Sequence, residues 1–448
     1  MSETLTARKP PRKSVQMRAA DAAWLHMEDP TNLMMITALF TFKKPLDRDL
    51  IRKAVVEGLL PYDRFQMKAI SQRIGRPSWN YYPEFDVDQH LEVLQLESPG
   101  GEEQLLGLVS QLMGVQLERD KALWKFHIVQ GYEGGSALIV RLHHAIADGI
   151  ALLKVLLSLT EPSPDSESRG DQLLEAPQRK TASLLHDANI KVKPRKFIDL
   201  ARIYSSAAAD LGKVLIETEP VTPLRGKLGI AKSAARTKPL SLDVVKEARG
   251  RAGCTVNDFL MAAVAGGVRA HLQRLKTPLT PGLNVRAVIP VDLRKPTSKQ
   301  TLGNRFGLVF LGLPVGLDDP KERLAEVQRR MQHLKTSPQA VVVLGLLKAV
   351  GSIPAEMQNT IVELFGSKAS AVVTNVPGPR EHLYLASQAI ESLMFWVPQS
   401  GRLGLGLSIL SYGGQVRIGV ATDAGLTTDA NLLASDIEAA FEELVACV

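Results

Sequence analysis

Two cysteines, Cys254 and Cys447, are all that 448 residues contain. No disulfide framework can be built from them, and a reducing, cytoplasmic setting is the expected home. Aromatic residues reach only 5% and do not alternate with basic ones. A net charge of +7 therefore does not by itself make nucleic acid an expected partner. Long apolar runs are missing too. "AVVVLGLL" (340–347) is cut by Lys348, well short of the roughly 20 residues that a membrane span needs. The opening "MSETLTARKPPRKS" has no apolar run behind it, which argues against a signal peptide or an anchor.

What is present is an ordinary globular balance, 45% hydrophobic and 23% charged, in a chain long enough for two domains of about 200 residues each. "TEPSPDSESRGDQ" (160–172) has no large apolar side chain and marks a mobile linker. The expected division is an N-terminal domain over 1–160, a linker over 161–182, a connecting helix over 183–220 and a C-terminal domain over 221–448. Inside the connector, 191–217 repeats apolar residues at helical spacing. Its Lys191, Lys193, Arg195 and Lys196 offer a basic face for an anionic lipid surface, or simply a solvated one.

Strands are expected at "LMMITALFTF" (33–42), twice within 123–144, at "NVRAVIPV" and "GLVFLGLPV", at "SAVVTN", and in a hairpin turning at Gly413-Gly414. Helices are expected over 48–60, 242–251 and 257–275, three times between 319 and 366, and from about 428 to the end. Strands and helices mix in both halves, so the fold class is α/β with mixed sheets.

The chemistry concentrates in "VRLHHAIADGIALL" (140–153). On a strand, neighbouring side chains face opposite ways, so His143 and His144 cannot easily chelate one metal, and no third ligand stands at zinc-like spacing. No metal is expected. Gly149 is expected to allow a tight turn into an apolar helix. A histidine at the carboxyl end of a strand, just before such a turn, sits where α/β proteins tend to place chemistry. The bland alternative is a satisfied core histidine beside a turn aspartate.

His143-His144, Asp148 and Gly149 form the pattern HHxxxDG. It resembles the signature of the CoA-dependent acyltransferases and condensation domains. Flanking blocks narrow the resemblance to the bacterial wax ester synthase/diacylglycerol acyltransferase family: "AADAAWLHMEDPTNLMMITALFTF" (19–42), "LERDKALWKFHIV" (117–129), "TVNDFLMAAVAGGVRAHL" (255–272), "VRAVIPVDLR…TLGNRFG" (285–307) and "VTNVPGP" (373–379). They occur in family order along nearly the whole chain. Ala122, Arg225 and Asp292 depart from the family's usual residues.

The resemblance implies two chloramphenicol-acetyltransferase-like domains with a channel between them. It also implies transfer of a fatty acyl group from acyl-CoA, as co-substrate and with no cofactor, to a long-chain alcohol or diacylglycerol. Neutral imidazole is available near pH 7 to take the hydroxyl proton. His144 is the expected general base, with His143 in packing or hydrogen bonding and Asp148 structural. Arg294 is the expected partner of Asp148 from the other domain. Asn257 and Asp258 are candidates for lining the substrate site, although Thr255 and Asp258 also fit a helix capping box. Trp124 is a further candidate contact that also fits a core position. Two other readings stay open: a condensation-type enzyme using carrier-protein thioesters, and a non-catalytic protein of the lipid-droplet surface.

Overall fold

A computed structural model of the chain describes residues 14–72, 75–163, 219–292, 304, 306–336, 366–399, 403–426 and 428–448. The N-terminal half runs β1 (Ser14–Gln16), α1 (Ala19–His26), β2 (Met35–Phe42), α2 (Arg48–Gly58), β3 (Met67–Ile70), β4 (Ser78–Tyr81), β5 (Leu91–Gln95), α3 (Glu102–Met113), β6 (Trp124–Tyr132), β7 (Gly135–His143) and α4 (Gly149–Leu157). The C-terminal half opens with β8 (Lys232–Arg236), β9 (Leu240–Ser241), α5 (Leu242–Arg251), α6 (Val256–Arg274), β10 (Val285–Asp292), β11 (Phe306–Leu313) and α7 (Pro320–Thr336). It closes with β12 (Ala371–Pro377), β13 (Tyr384–Leu385), β14 (Gln388–Ala389), β15 (Ser392–Trp396), β16 (Leu405–Tyr412), β17 (Gln415–Asp423) and α8 (Ala430–Cys447).

Two mixed sheets organise these elements. The first has the order β15-β2-β7-β6-β5, and the second β11-β10-β12-β16-β17-β8 with β9 added on β17. One apolar core surrounds the first sheet and also takes in Val288, Phe306, Val372 and Ala421 of the second, and another core packs on the second sheet alone. Every residue of β2 and β7 is buried, as a central strand covered on both faces requires. In the second sheet, Gly413 and Gly414 adopt φ of 54° and 76°, the left-handed pair that a two-residue hairpin between β16 and β17 demands. Behind that sheet α6 is buried along most of its length against α8. A Cβ on Gly267 would come within 2.4 Å of Ile437 Cγ1, so a bare backbone is what lets the two helices meet.

The chain does not divide at one linker. β15, from the C-terminal half, pairs antiparallel with β2 of the N-terminal sheet, Ser392 opposite Thr41 through Trp396 opposite Thr37. Trp396 Nε1 then donates back to the Ala235 carbonyl at 3.1 Å, and Arg236 clasps Glu102 of α3 at 2.6 and 2.7 Å. At the start of the expected linker, Glu161 bridges Tyr384 through two backbone bonds of 2.8 and 2.9 Å. The rest of that linker, the basic segment 191–217 and the helices expected between residues 337 and 365 lie outside the described residues. No helix among the described residues is long and apolar enough to cross a membrane.

Candidate active site

β7 delivers the two histidines at its carboxyl end and holds them by their backbones. His143 N donates to the Leu123 carbonyl at 3.0 Å and His144 N to the Met34 carbonyl at 2.7 Å. A turn follows, and Asp148 then caps α4, its carboxylate accepting from Ala151 N at 3.0 Å. The strand's alternation sends the two rings to separate surroundings. His143 meets Glu28, just past α1, whereas His144 meets Trp24 of α1 together with Asn304 and Phe306 from the other half.

Asp21 and Trp24 stand three residues apart on α1, hence on one face of the helix. The Trp24 ring stacks on His144 with centroids 4.1 Å apart. Asp21, fully buried, accepts from both Asn304 N at 3.0 Å and Asn304 Nδ2 at 2.9 Å. Asn304 Nδ2 also donates to the His144 carbonyl at 3.1 Å. With both its neighbours acceptors, that atom is the amide nitrogen, and the oxygen faces His144 Nδ1 at 3.0 Å. His144 Nδ1 therefore carries the proton and Nε2 carries a lone pair. Burial pushes the imidazole's pKa down to about 4, against the nearby charge of Asp148. His144 is a neutral ring near pH 7, 7% exposed.

His143 holds the opposite tautomer. Its Nδ1 accepts from Ala145 N at 3.0 Å, which leaves the proton on Nε2, 3.3 Å from Glu28 Oε1. Burial alone would raise the Glu28 carboxyl. Its contacts with His143, Arg119 and Gln116 outweigh that and hold it at about 2. His143 is thus wedged against the Glu28 carboxylate, 1% exposed.

The remaining candidates fall in different places. Arg294 lies outside the described residues. Gly149 does not serve the purpose expected of it: its φ is not left-handed, and the nearest atom to an added Cβ is Ile36 Cδ1 at an ordinary 3.8 Å. The turn closes through Asp148 as a helix cap, which needs no glycine. Asp258 completes the capping box, with Thr255 N to Asp258 Oδ2 at 3.0 Å and Asp258 N to Thr255 Oγ1 at 3.2 Å. Asn257 accepts from Asn375 Nδ2 at 2.6 Å, tying α6 to the "NVPGP" turn. Asn257 Nδ2 and Asp258 Oδ1 are buried without a protein partner. Trp124 sits in the core, 1% exposed, with Nε1 donating to the Phe65 carbonyl at 2.8 Å and its ring stacked on His90. Among the described residues no cluster of His, Cys, Asp and Glu is placed to hold a metal.

Asp21, Trp24, Glu28 and Asn304 were not singled out from the sequence. They lie inside "AADAAWLHMEDPTN" and "TLGNRFG", but their link to the histidines is tertiary. A small cavity between the halves, lined by Asn32, Met35, Thr37, Lys232, Val397 and Gln399 among others, lies beside Met35, the register partner of His143, and neither His143 nor His144 is part of its lining.

Comparison with known proteins shows the family and the fold. The family model for the wax ester synthase/diacylglycerol acyltransferase catalytic domain matches residues 17–260, and the one for the WS/DGAT C-terminal domain matches 302–445. A Mycobacterium tuberculosis protein named "Probable diacyglycerol O-acyltransferase tgs1" is 27% identical over 443 residues, 95% of each chain. Its relative tgs2 is 28% identical over 407 residues, covering 84% of this chain and 86% of that one. Among solved structures, the wax ester synthase/diacylglycerol acyltransferase of Marinobacter aquaeolei VT8 superposes with a TM-score of 0.69 at 20% identity, covering 96% and 98% of the two chains. The first condensation domain of the calcium-dependent antibiotic synthetase superposes at 0.60 and 16% identity, covering 97% and 96%. The latter two show a shared fold of two chloramphenicol-acetyltransferase-like halves. The catalytic-domain match alone spans more than half of the chain, and the chain belongs to the wax ester synthase/diacylglycerol acyltransferase family of acyltransferases.

Proposed function

We propose that the protein transfers a fatty acyl group from acyl-CoA to the hydroxyl of diacylglycerol or a long-chain alcohol, with His144 as general base. The observation that carries this reading is a neutral imidazole whose Nδ1 proton is committed to Asn304, which leaves Nε2 as the proton acceptor. The alcohol oxygen attacks the thioester carbonyl while Nε2 takes its proton. The C–S bond then breaks, and the same proton goes to the departing CoA thiolate. The products are an ester and free CoA thiol, with no covalent enzyme intermediate and no cofactor. General base catalysis of this kind is worth roughly 10²–10⁴-fold, or about 3–5 kcal/mol of barrier.

Since the ester product, a wax ester or a triacylglycerol, is an apolar lipid, the reading includes work at a lipid surface, with the basic residues between 191 and 217 as the docking element. Flotation with anionic liposomes checks that part: reversing the charges at Lys191, Lys193, Arg195 and Lys196 is expected to abolish co-flotation. The reaction itself is tested by thiol release from palmitoyl-CoA with hexadecanol or dipalmitoylglycerol as acceptor. Acceptor-dependent release with ester formed in equal amount is the expected result. Release only when the acyl chain is presented on a carrier protein would overturn the acyl-CoA assignment.

A further inference from the structure

The base and the groups that fix its proton come from different halves of the fold. His144 and Asp21 belong to the N-terminal half, while Asn304 lies eleven positions beyond Leu293, between β10 and β11 of the C-terminal half. Three polar atoms of Asn304 make four contacts with these groups. Its backbone N–H and one amide N–H go to Asp21 Oδ1, the amide also reaches the His144 carbonyl, and its Oδ1 receives His144 Nδ1–H. Behind Asp21 stands Arg64, whose Nη2 donates to Asp21 Oδ2 at 2.8 Å and whose Nη1 donates to the Ile146 carbonyl in the turn that follows His144. Arg64 itself lies over the Trp79 ring, 5.5 Å from its centroid.

We infer that Arg64, Asp21 and Asn304 are positioning residues that hold His144 in the Nδ1–H tautomer, so that the C-terminal half, through Asn304, helps to fix the proton of the base. The chemistry requires each member. A side-chain amide presents a donor to a carboxylate and an acceptor to an imidazole N–H at once, from two separate and fixed atoms. The Asp21 carboxylate admits only donors, so it forbids the flipped amide, and the flipped amide is what would favour the wrong tautomer. Arg64 closes the series by satisfying the second oxygen of a buried carboxylate that would otherwise be left unpaired. A ring of the other tautomer would present N–H to the substrate hydroxyl and could take no proton from it. The Asp–His pair of serine hydrolases controls its tautomer directly; here an amide stands between the acid and the ring, and no full negative charge touches the imidazole. The amide fixes the proton, and burial keeps the ring neutral.

The inference rests on His144 being the base, and the test separates the two. With histidine nitrogens labelled with 15N and His144 assigned by its loss in His144→Gln, long-range proton–nitrogen correlation reads which nitrogen carries hydrogen. In the wild type, Nδ1 is expected protonated and Nε2 bare. Asn304→Ala is expected to mix the two tautomers and to lower kcat for thiol release about 10–100-fold, with KM for palmitoyl-CoA changed far less. Asp21→Asn, which preserves shape and guards against a variant that fails to fold, is expected to shift the tautomer the same way with a smaller loss. A His144 that keeps its Nδ1 proton in both variants overturns the inference, whether or not kcat falls. If His144→Ala turns over at the wild-type rate while Asn304→Ala still mixes the tautomers, the fault lies in the base assignment and not in the link.

Discussion

His144 and Glu28 both leave their ordinary titration ranges, and the two shifts make separable demands on pH. Burial holds folded His144 neutral down to about 4, whereas in an unfolded chain it protonates near 6.5. Its folded pKa is depressed, so between 6.5 and 4 the unfolded state binds the extra proton and stability falls as pH falls, by up to about 3 kcal/mol. His127, likewise pushed by burial to about 4, adds to the same window. Glu28, held at about 2 against an ordinary 4.5, contributes stability above 4.5 that disappears between there and 2. Denaturant melts from pH 8 to 4 are expected to lose stability from 6.5 downward, before carboxylates titrate. Over the same range kcat of the folded enzyme is expected to stay level to about pH 5, since the base is still free. An acid limb near 6.5 in kcat would contradict the buried neutral ring.

Gly149 gives a second test at this scale. With no left-handed φ and an open Cβ position, Gly149→Ala is expected to fold normally and to gain about 0.5–1 kcal/mol, because alanine is the better helix residue. A thermal melt that falls instead would mean that the position is tighter than its geometry indicates.

At the scale of elements, most of the fold was legible because local pattern and tertiary demand coincide. β2, β6, β7 and the Gly413-Gly414 hairpin announce themselves by apolar alternation and turn residues, and the Thr255–Asp258 capping box marks the start of α6 by spacing alone. β15 was not legible. "SLMFW" (392–396) is a short apolar run like many others, and it becomes a strand only because β2, more than 350 positions earlier in the chain, offers a free edge. The same reason hid Asp21, Glu28 and Asn304: an acid on a helix and an amide in a loop carry no mark of the ring they will meet. His143 and His144 were visible because the strand's period of two, read at the turn, already assigns them opposite sides. Packing predictions follow from these elements. Gly267→Val is expected to push α6 off Ile437 of α8 and cost about 1–3 kcal/mol. Trp396→Ala, which empties a fully buried site and drops the bond to Ala235, is expected to cost about 3–5 kcal/mol. Chemical denaturation reads both.

Across the whole molecule, the two halves are bound by a shared sheet, not merely apposed. β15 completes the N-terminal sheet, Arg236 reaches Glu102, and the buried Lys232 joins the Thr31 carbonyl to Asp423. An N-terminal fragment ending at residue 163 would leave β2, "MITALFTF", as an unpaired apolar edge, which invites aggregation. The fragment is expected to be insoluble alone and to be recovered on fusion to residues 388–399. A soluble, monomeric fragment would show that β15 is dispensable to the sheet. Such a shared sheet suits a site whose proposed base, His144, is in one half and whose amide partner, Asn304, is in the other.

The central claim is that one neutral imidazole draws the proton from the acceptor hydroxyl. Its most direct test is thiol release from palmitoyl-CoA by His144→Ala beside the wild type, at saturating acceptor and with matched thermal melts. The expected result is a kcat lower by roughly 10²–10⁴-fold with KM for palmitoyl-CoA nearly unchanged. Turnover at the wild-type rate by the folded variant would contradict the account.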